Sequence, residues 1–319
     1  MKTFDEIYEE LKNGDNDDLN QAWREAKKQN KKAKKIALTI CLIIDVIIAI
    51  MLSKYMVQQS SIFFLLYILV FVLTFNMIIF CVVMAVSAAS KKHIEFITKY
   101  KKIVINKIMS NFYNNLEYFP NKEMPEYIYK ELRYEHYDRY RSDDYFEALI
   151  NNKNSIQMAE VLTQERKEYK DSDGNTRTSW ITKFHGLFAK IELGKSINSE
   201  LKIGANGSAI FAERLKMDSS EFEKYFDVQA SNKIIGMQLL TADVMEELVY
   251  FENKTNIRFD IIIKENELYL RFHSGDMFEP TNLKNEPIDT KTIEKYFYML
   301  NFTYNLSTKL IKLVNETEI

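Results

Sequence analysis

Two long apolar runs near the N-terminus constrain this chain more than any other feature. Ile36 to Leu52 (IALTICLIIDVIIAIML) is apolar apart from Asp45, and Ile62 to Ala89 (IFFLLYILVFVLTFNMIIFCVVMAVSAA) is apolar apart from Asn76. At ~1.5 Å rise per residue, the first run matches bilayer thickness if it continues to about Val57, and the second is long enough to cross with tilt. A soluble core does not need two such runs joined by the short segment Ser53 to Ser61. The expectation is a two-helix transmembrane hairpin over 36–90, with spans at 36–57 and 62–89. A cleaved signal peptide fits poorly, because a long polar segment precedes the first run and a second span follows it with no convincing cleavage site.

Lysine placement orients the hairpin. Lys27, Lys28, Lys31, Lys32, Lys34 and Lys35 precede the first span, Lys91, Lys92, Lys99, Lys101 and Lys102 follow the second, and the loop between offers only Lys54. The positive-inside rule then predicts a multi-pass protein of the cell membrane with both termini cytoplasmic. The basic residues nearest the spans, Lys31, Lys32, Lys34, Lys35, Lys91 and Lys92, also favour anionic lipid headgroups as partners beside the bilayer itself. Asp45 and Asn76 are the intramembrane polar positions. A polar group in hydrocarbon needs a partner, so they read first as a hydrogen-bonding pair, within one chain or between copies in a homo-oligomer. Use of Asp45 in a small transport or channel component is the alternative.

Residues 1–35 form a cytoplasmic amphipathic and basic segment, with Phe4, Ile7, Tyr8 and Leu11 at helical spacing and Leu19, Ala22, Trp23 and Ala26 repeating it. Residues 91–319 form the cytoplasmic domain. An amphipathic helix carries Ile94, Ile97, Ile105, Ile108, Met109 and Phe112 and stops before Pro120. A tyrosine-crowded stretch follows (YIYKELRYEHYDRYRSDDYFEALI), whose acids cancel its bases; it suits the edge of a core better than nucleic acid, which is not expected as a partner. Ile156 to Tyr169 and Trp180 to Leu193 flank Asp173-Gly174, a hairpin signal between two strands. Asp218-Ser219-Ser220-Glu221 reads as a capping box starting a helix with Phe222, Tyr225 and Phe226 on one face. A second helix starts after Thr241 with Val244, Leu248 and Phe251 in a row. Ile257, Phe259, Ile261 and Ile263 alternate, Glu265-Asn266 turns the chain, and Leu268, Leu270 and Phe272 return as a second hairpin. A long C-terminal helix from about Thr290 to Val314 closes the core. The fold class is therefore α+β, with antiparallel hairpins covered by helices.

Several of these stretches together resemble a known family. The two-span hairpin, YRSDDYF at Tyr140 to Phe146, Phe184-His185-Gly186-Leu187-Phe188, then MDSSEFEKYFDVQASNKIIGMQLLTADVMEEL and LYLRFHSGDMFEP, stand in the order found in bacterial membrane proteins grouped as domain of unknown function 3137. The resemblance covers most of residues 91–319 and is most specific from Met217 to Leu248. It implies a bacterial cell-membrane protein with a cytoplasmic α+β domain, and it brings no activity or catalytic residue with it.

No catalytic constellation is found from the residues. The four histidines, His93, His136, His185 and His273, lack metal-ligand spacing, and no serine sits in a nucleophile elbow. Cys41 and Cys81 lie inside the apolar runs, where neither a disulfide framework nor a zinc site is expected. Gly194-Lys195-Ser196 lacks the rest of a phosphate-binding loop. No cofactor or metal is assigned. His273, Asp276 and Glu279 share one loop and form the candidate ligand site. The expected function is a membrane-anchored module whose cytoplasmic domain binds a partner protein or ligand; a membrane-tethered enzyme with a non-motif site is the rival.

Overall fold

The computed structural model describes residues 1–55, 61–170, 172–206, 214–280 and 283–316; within these, the side chains of 41, 45, 48, 49, 51–55, 61–74, 77, 78 and 81 are not described. The chain divides into two compact units. One comprises Glu10–Ile103 with Pro280–Asp289, and the other Met1–Glu9, Val104–Glu279 and Thr290–Ile319.

The first unit is a pair of long helices, α2 (Asp17–Tyr55, 39 residues) and α3 (Ser61–Tyr100, 40 residues), preceded by α1 (Phe4–Asn13). Leu19, Ala22, Ala26 and Ala33 form a buried stripe on α2, while Phe96 and Tyr100 are buried on α3. Lys92 of α3 ties the helices together, reaching Glu25 of α2 at 2.8 Å and Glu95 of its own helix at 2.9 Å. Further along both helices the pattern inverts. Leu38, Leu42, Val46 and Ile50 on α2 and Phe75, Ile79, Phe80 and Val83 on α3 are exposed, Leu38 by 65% and Phe80 by 64%. Among the described residues no helix is long and apolar enough to cross a membrane. Most of the second expected span and the end of the first lie outside the described side chains.

α3 passes through a π-helical turn, Lys101–Ile105, into α4 (Asn106–Phe112), so the amphipathic helix does end before Pro120. The second unit is built on β1 (Asn114–Phe119), α5 (Glu126–Lys130), β2 (Arg139–Ile150), β3 (Asn154–Lys170) and β4 (Thr176–Ala205). It continues with α6 (Phe222–Tyr225), β5 (Phe226–Ala230), α7 (Lys233–Leu239), α8 (Ala242–Thr255), β6 (Phe259–Phe272) and α9 (Thr290–Glu316). Among the described residues the strands make one six-stranded antiparallel sheet in the order β1-β2-β3-β4-β5, with β6 also paired to β4. β4 organises it: Thr176 to Ile191 pairs with β3, Leu201 to Ala205 with β5, and Leu187 to Ile203 with β6 along the other edge. The β3–β4 hairpin turns at the expected Asp173-Gly174, with Lys170 opposite Thr176 and Gly174 at φ +81°.

Two local expectations are corrected. Phe259 to Phe272 is not a hairpin but the single strand β6, bent at Glu265 (φ +56°) and hydrogen-bonded to β4 on both sides of the bend. The register slips twice there, Glu192 to Glu200 of β4 standing opposite Glu267 to Lys264, and the side-chain alternation of β6 shifts, so Phe259, Ile261 and Ile263 and then Leu268, Leu270 and Phe272 all reach the same face. The capping box is replaced by a different pair of side-chain bonds. Ser219 Oγ accepts from Phe222 N at 3.2 Å and Glu223 Oε1 from Met217 N at 2.8 Å, and the helix they start is the single turn α6, after which Phe226 opens β5.

The sheet has two unlike faces. Helices cover one: Phe302 of α9 stacks on Phe251 of α8 at 4.0 Å between ring centroids and meets Phe259 and Phe272 of β6 at 5.5 and 6.0 Å. The first residues of the chain join this layer, Phe4 packing edge-on against Phe297 of α9. The other face is covered by the tyrosine-rich segment, which places Met124, Ile128 and Tyr129 over Ala159, Val161, Phe184, Phe188, Ile262 and Tyr269. Close contact between β4 and β6 requires Gly186, because a Cβ there would stand 1.9 Å from the Phe272 carbonyl oxygen.

Candidate functional site

Charge is concentrated on the tyrosine-covered face. Arg271 of β6 is only 5% exposed, and its neighbours account for each edge of the guanidinium. Nε and Nη2 donate to Asp260 Oδ2 at 2.9 and 2.8 Å; Nη1 donates to Tyr129 Oη at 3.2 Å and to Glu135 Oε2. The planar group lies 3.8 Å from the Tyr134 ring centroid and 5.0 Å from that of Phe184. Glu135 is held in turn by the hydroxyls of Tyr129 and Thr163. His273 closes the set, its Nε2 3.2 Å from Asp260 Oδ2 and its ring edge-on to Phe184.

Burial alone would raise the Asp260 carboxyl, but the His273 hydrogen bond and the Arg271 charge outweigh it and hold it below the usual range. Burial would lower Arg271, and the facing Asp260 charge raises it instead. The Tyr129 and Tyr134 hydroxyls are pushed upward by burial, so both stay protonated; Tyr129 donates to Glu135, while the buried Tyr134 hydroxyl has no hydrogen-bond partner among the described residues. The cluster is a satisfied ionic clamp fastening residues 129–135 onto β6.

A second polar group lies at β2 and β3. One ligand oxygen each from Asp143, Asp144 and Glu160 lies within 4.8 Å of the others, near enough to share one cation. Asp144 is fully buried, sits at φ +51° in a bulge of β2, and accepts from the Tyr118 hydroxyl. Glu160 is 3% exposed and accepts from the amides of Met277 and Phe278, each at 2.6 Å. Burial first and the Asp144 charge second push the Glu160 carboxyl up to about 8, against the pull of those amides.

The predicted ligand loop does not converge. His273 turns to Asp260, Asp276 pairs with His185 of β4 at 2.8 Å, and the Glu279 backbone carbonyl accepts from the Tyr296 hydroxyl. Asn76 is exposed, and the side chains of Asp45, Cys41 and Cys81 are outside the described residues. Of the basic positions near the spans, Lys31, Lys32, Lys34, Lys35 and Lys91 are exposed while Lys92 is engaged by Glu25 and Glu95. Sequence reasoning missed Arg271, Asp260, Glu135 and Glu160. Its available signal was the charged pair Asp260 and Arg271 set within otherwise apolar strand segments.

The described residues thus define two units, an antiparallel α+β domain carrying a buried ionic clamp and a long helical pair. Residues 182–312 match the family described as "Protein of unknown function (DUF3137)". The matched segment contains Asp260, Arg271 and His273, whereas Glu135 and Glu160 lie before it. No curated protein matches the chain. A crystal structure of the mycobacterial trehalose monomycolate transport factor A, TtfA, is similar at 8% identity and a TM-score of 0.31, over 66% of this chain and 96% of that one.

Proposed function

We propose that the chain is a multi-pass protein of the cell membrane, anchored by α2 and α3 as a transmembrane hairpin, with both termini and the α+β domain on the cytoplasmic side. The observation that carries this reading is the exposed apolar surface of the two helices at Leu38, Leu42, Val46 and Ile50 and at Phe75, Ile79, Phe80 and Val83. Side chains of this size, contiguous on paired helices, are buried in water-exposed domains and exposed where the solvent is lipid. Lysines on the N-terminal side of α2 and the C-terminal side of the apolar part of α3 give the orientation.

The α+β domain is read as the binding part. A groove of about 730 Å³ runs between α8 and α9, lined by Tyr250, Phe251, Lys254, Tyr298 and Phe302, with Tyr250 exposed and Lys254 4.9 Å from the Tyr298 ring centroid. Exposed aromatics beside a cation suit a protein or small-ligand contact. The topology is tested with single cysteines at Ser60 and Ser172 in a chain lacking Cys41 and Cys81. An impermeant thiol reagent added to intact cells labels Ser60→Cys and spares Ser172→Cys if the reading holds. Labelling of the Ser172 position from outside places the domain on the other side.

A further inference from the structure

We propose that the groove between α2 and α3 at Lys34 and His93 is a seat for the phosphate of an anionic phospholipid headgroup. The proposal deepens the membrane reading above and rests on it. The groove has a volume of about 250 Å³, with Asn30 and Lys34 on one wall and Ser90 and His93 on the other. Its remaining lining is apolar, the small Ala33, Ala37 and Ala89 leaving space between the helices and Val86 and Leu283 completing the floor. The polar wall thus meets an apolar floor in one cleft, matching a ligand whose charged phosphate continues into hydrocarbon.

The position along the chain agrees with that occupant. Lys34 stands two residues before the first apolar run begins at Ile36, and His93 follows the end of the second at Ala89. Exposed apolar side chains continue from the groove along both helices, at Leu38 and Leu42 and at Val86 and Val83. A lipid seated here would lay its acyl chains along them. Donors are specific: the Lys34 ammonium, the Asn30 amide and the His93 imidazole line the groove, while the Ser90 hydroxyl donates to the Val86 carbonyl at 2.9 Å and offers a phosphate only its lone pairs. Lys92 is committed to Glu25 and Glu95, and Lys99 pairs with Glu95 at 3.8 Å, so the two nearby carboxylates face two lysines. Lys31, Lys35 and Lys91 supply the wider field that draws anionic lipid to this end of the hairpin.

The test is native mass spectrometry of the full chain from mixed micelles holding equal phosphatidylglycerol and phosphatidylcholine. The wild type should retain one phosphatidylglycerol over phosphatidylcholine by on the order of tenfold. Lys34→Gln should reduce that preference by about fivefold, as should Ala89→Phe, which fills the groove without changing charge, while Lys31→Gln outside the groove should move it by less than about twofold. Equal loss in Lys34→Gln and Lys31→Gln would show a delocalised surface field and overturn the site. So would an inert Ala89→Phe in a folded protein, or displacement of the lipid by equimolar inorganic phosphate. The membrane reading fails separately: a chain that alkaline carbonate washes off membranes overturns both proposals, whereas one that stays but retains both lipids equally overturns the groove alone.

Discussion

The sheet unit and the apolar stretches of α2 and α3 treat large apolar side chains in opposite ways. In the sheet unit Phe251, Phe259, Phe272 and Phe302 are nearly inaccessible and stack on one another, and even the charged Arg271 is enclosed. In the helical unit Leu42, Val46, Phe80 and Val83 stand open, whereas Leu19, Ala22, Ala26, Phe96 and Tyr100, outside the apolar runs, are buried. The first pattern is that of a domain driven together by removal of apolar surface from water. The second leaves large side chains outside along the apolar stretches, as the proposed lipid surroundings would favour. The proposed membrane anchor accounts for this difference, and lysines cluster in the sequence at the ends of the apolar runs.

This contrast predicts a ranked series of effects on the unfolding of the purified full chain, followed by urea titration in detergent. Phe302→Ala removes the ring at the centre of the aromatic stack and should destabilise the sheet unit by about 3–5 kcal/mol. Arg271→Ala strands Asp260 and Glu135 without their cation and belongs to the same class, about 3–5 kcal/mol. A loss below about 1 kcal/mol in either variant would mean that the enclosed face is loosely packed.

Glu160 gives a smaller, pH-dependent effect. Its carboxyl titrates at about 8 in the folded chain against an ordinary 4.5, so the native state holds the extra proton between those values. Stability should therefore fall as pH rises from about 4.5 to about 8, the stabilisation being complete below that window. Glu160→Gln should flatten the melting temperature between pH 5 and pH 8; an unchanged slope would assign it to other groups. The smallest effect is expected in the helical unit. Leu42→Ala should change urea stability by within about 0.5 kcal/mol, since an exposed side chain has no core to leave. A loss comparable to Phe302→Ala would show Leu42 packed against protein and erase the contrast.

The sequence makes features of local chemistry readable. Asp173-Gly174 turns because glycine accepts a positive φ, and Thr241 marks the start of α8 because its row of Val244, Leu248 and Phe251 follows at helical spacing. The α7 start was equally local and was overlooked: Asn232 Oδ1 accepts from Ile234 N at 3.1 Å. Glu265 misled for a physical reason. A turn and a bulge both interrupt the alternation with a polar residue, and only the partner strand distinguishes them. The clamp was hidden by distance, because Arg271 and Glu135 are 136 residues apart and Asp260 reads as a solvent-facing position until a tyrosine-rich segment covers it.

The claim that α2 and α3 are an anchor is tested most directly by alkaline carbonate extraction of membranes from cells making the full chain, followed by flotation on a density gradient. An embedded hairpin resists high pH because its attachment is apolar burial and not charge. The protein should remain with the floating lipid for the wild type and be released when Leu42, Val46, Phe80 and Val83 are all changed to lysine. Release of the wild-type chain into the carbonate supernatant would contradict the account and reassign the exposed apolar faces of the two helices to a protein partner.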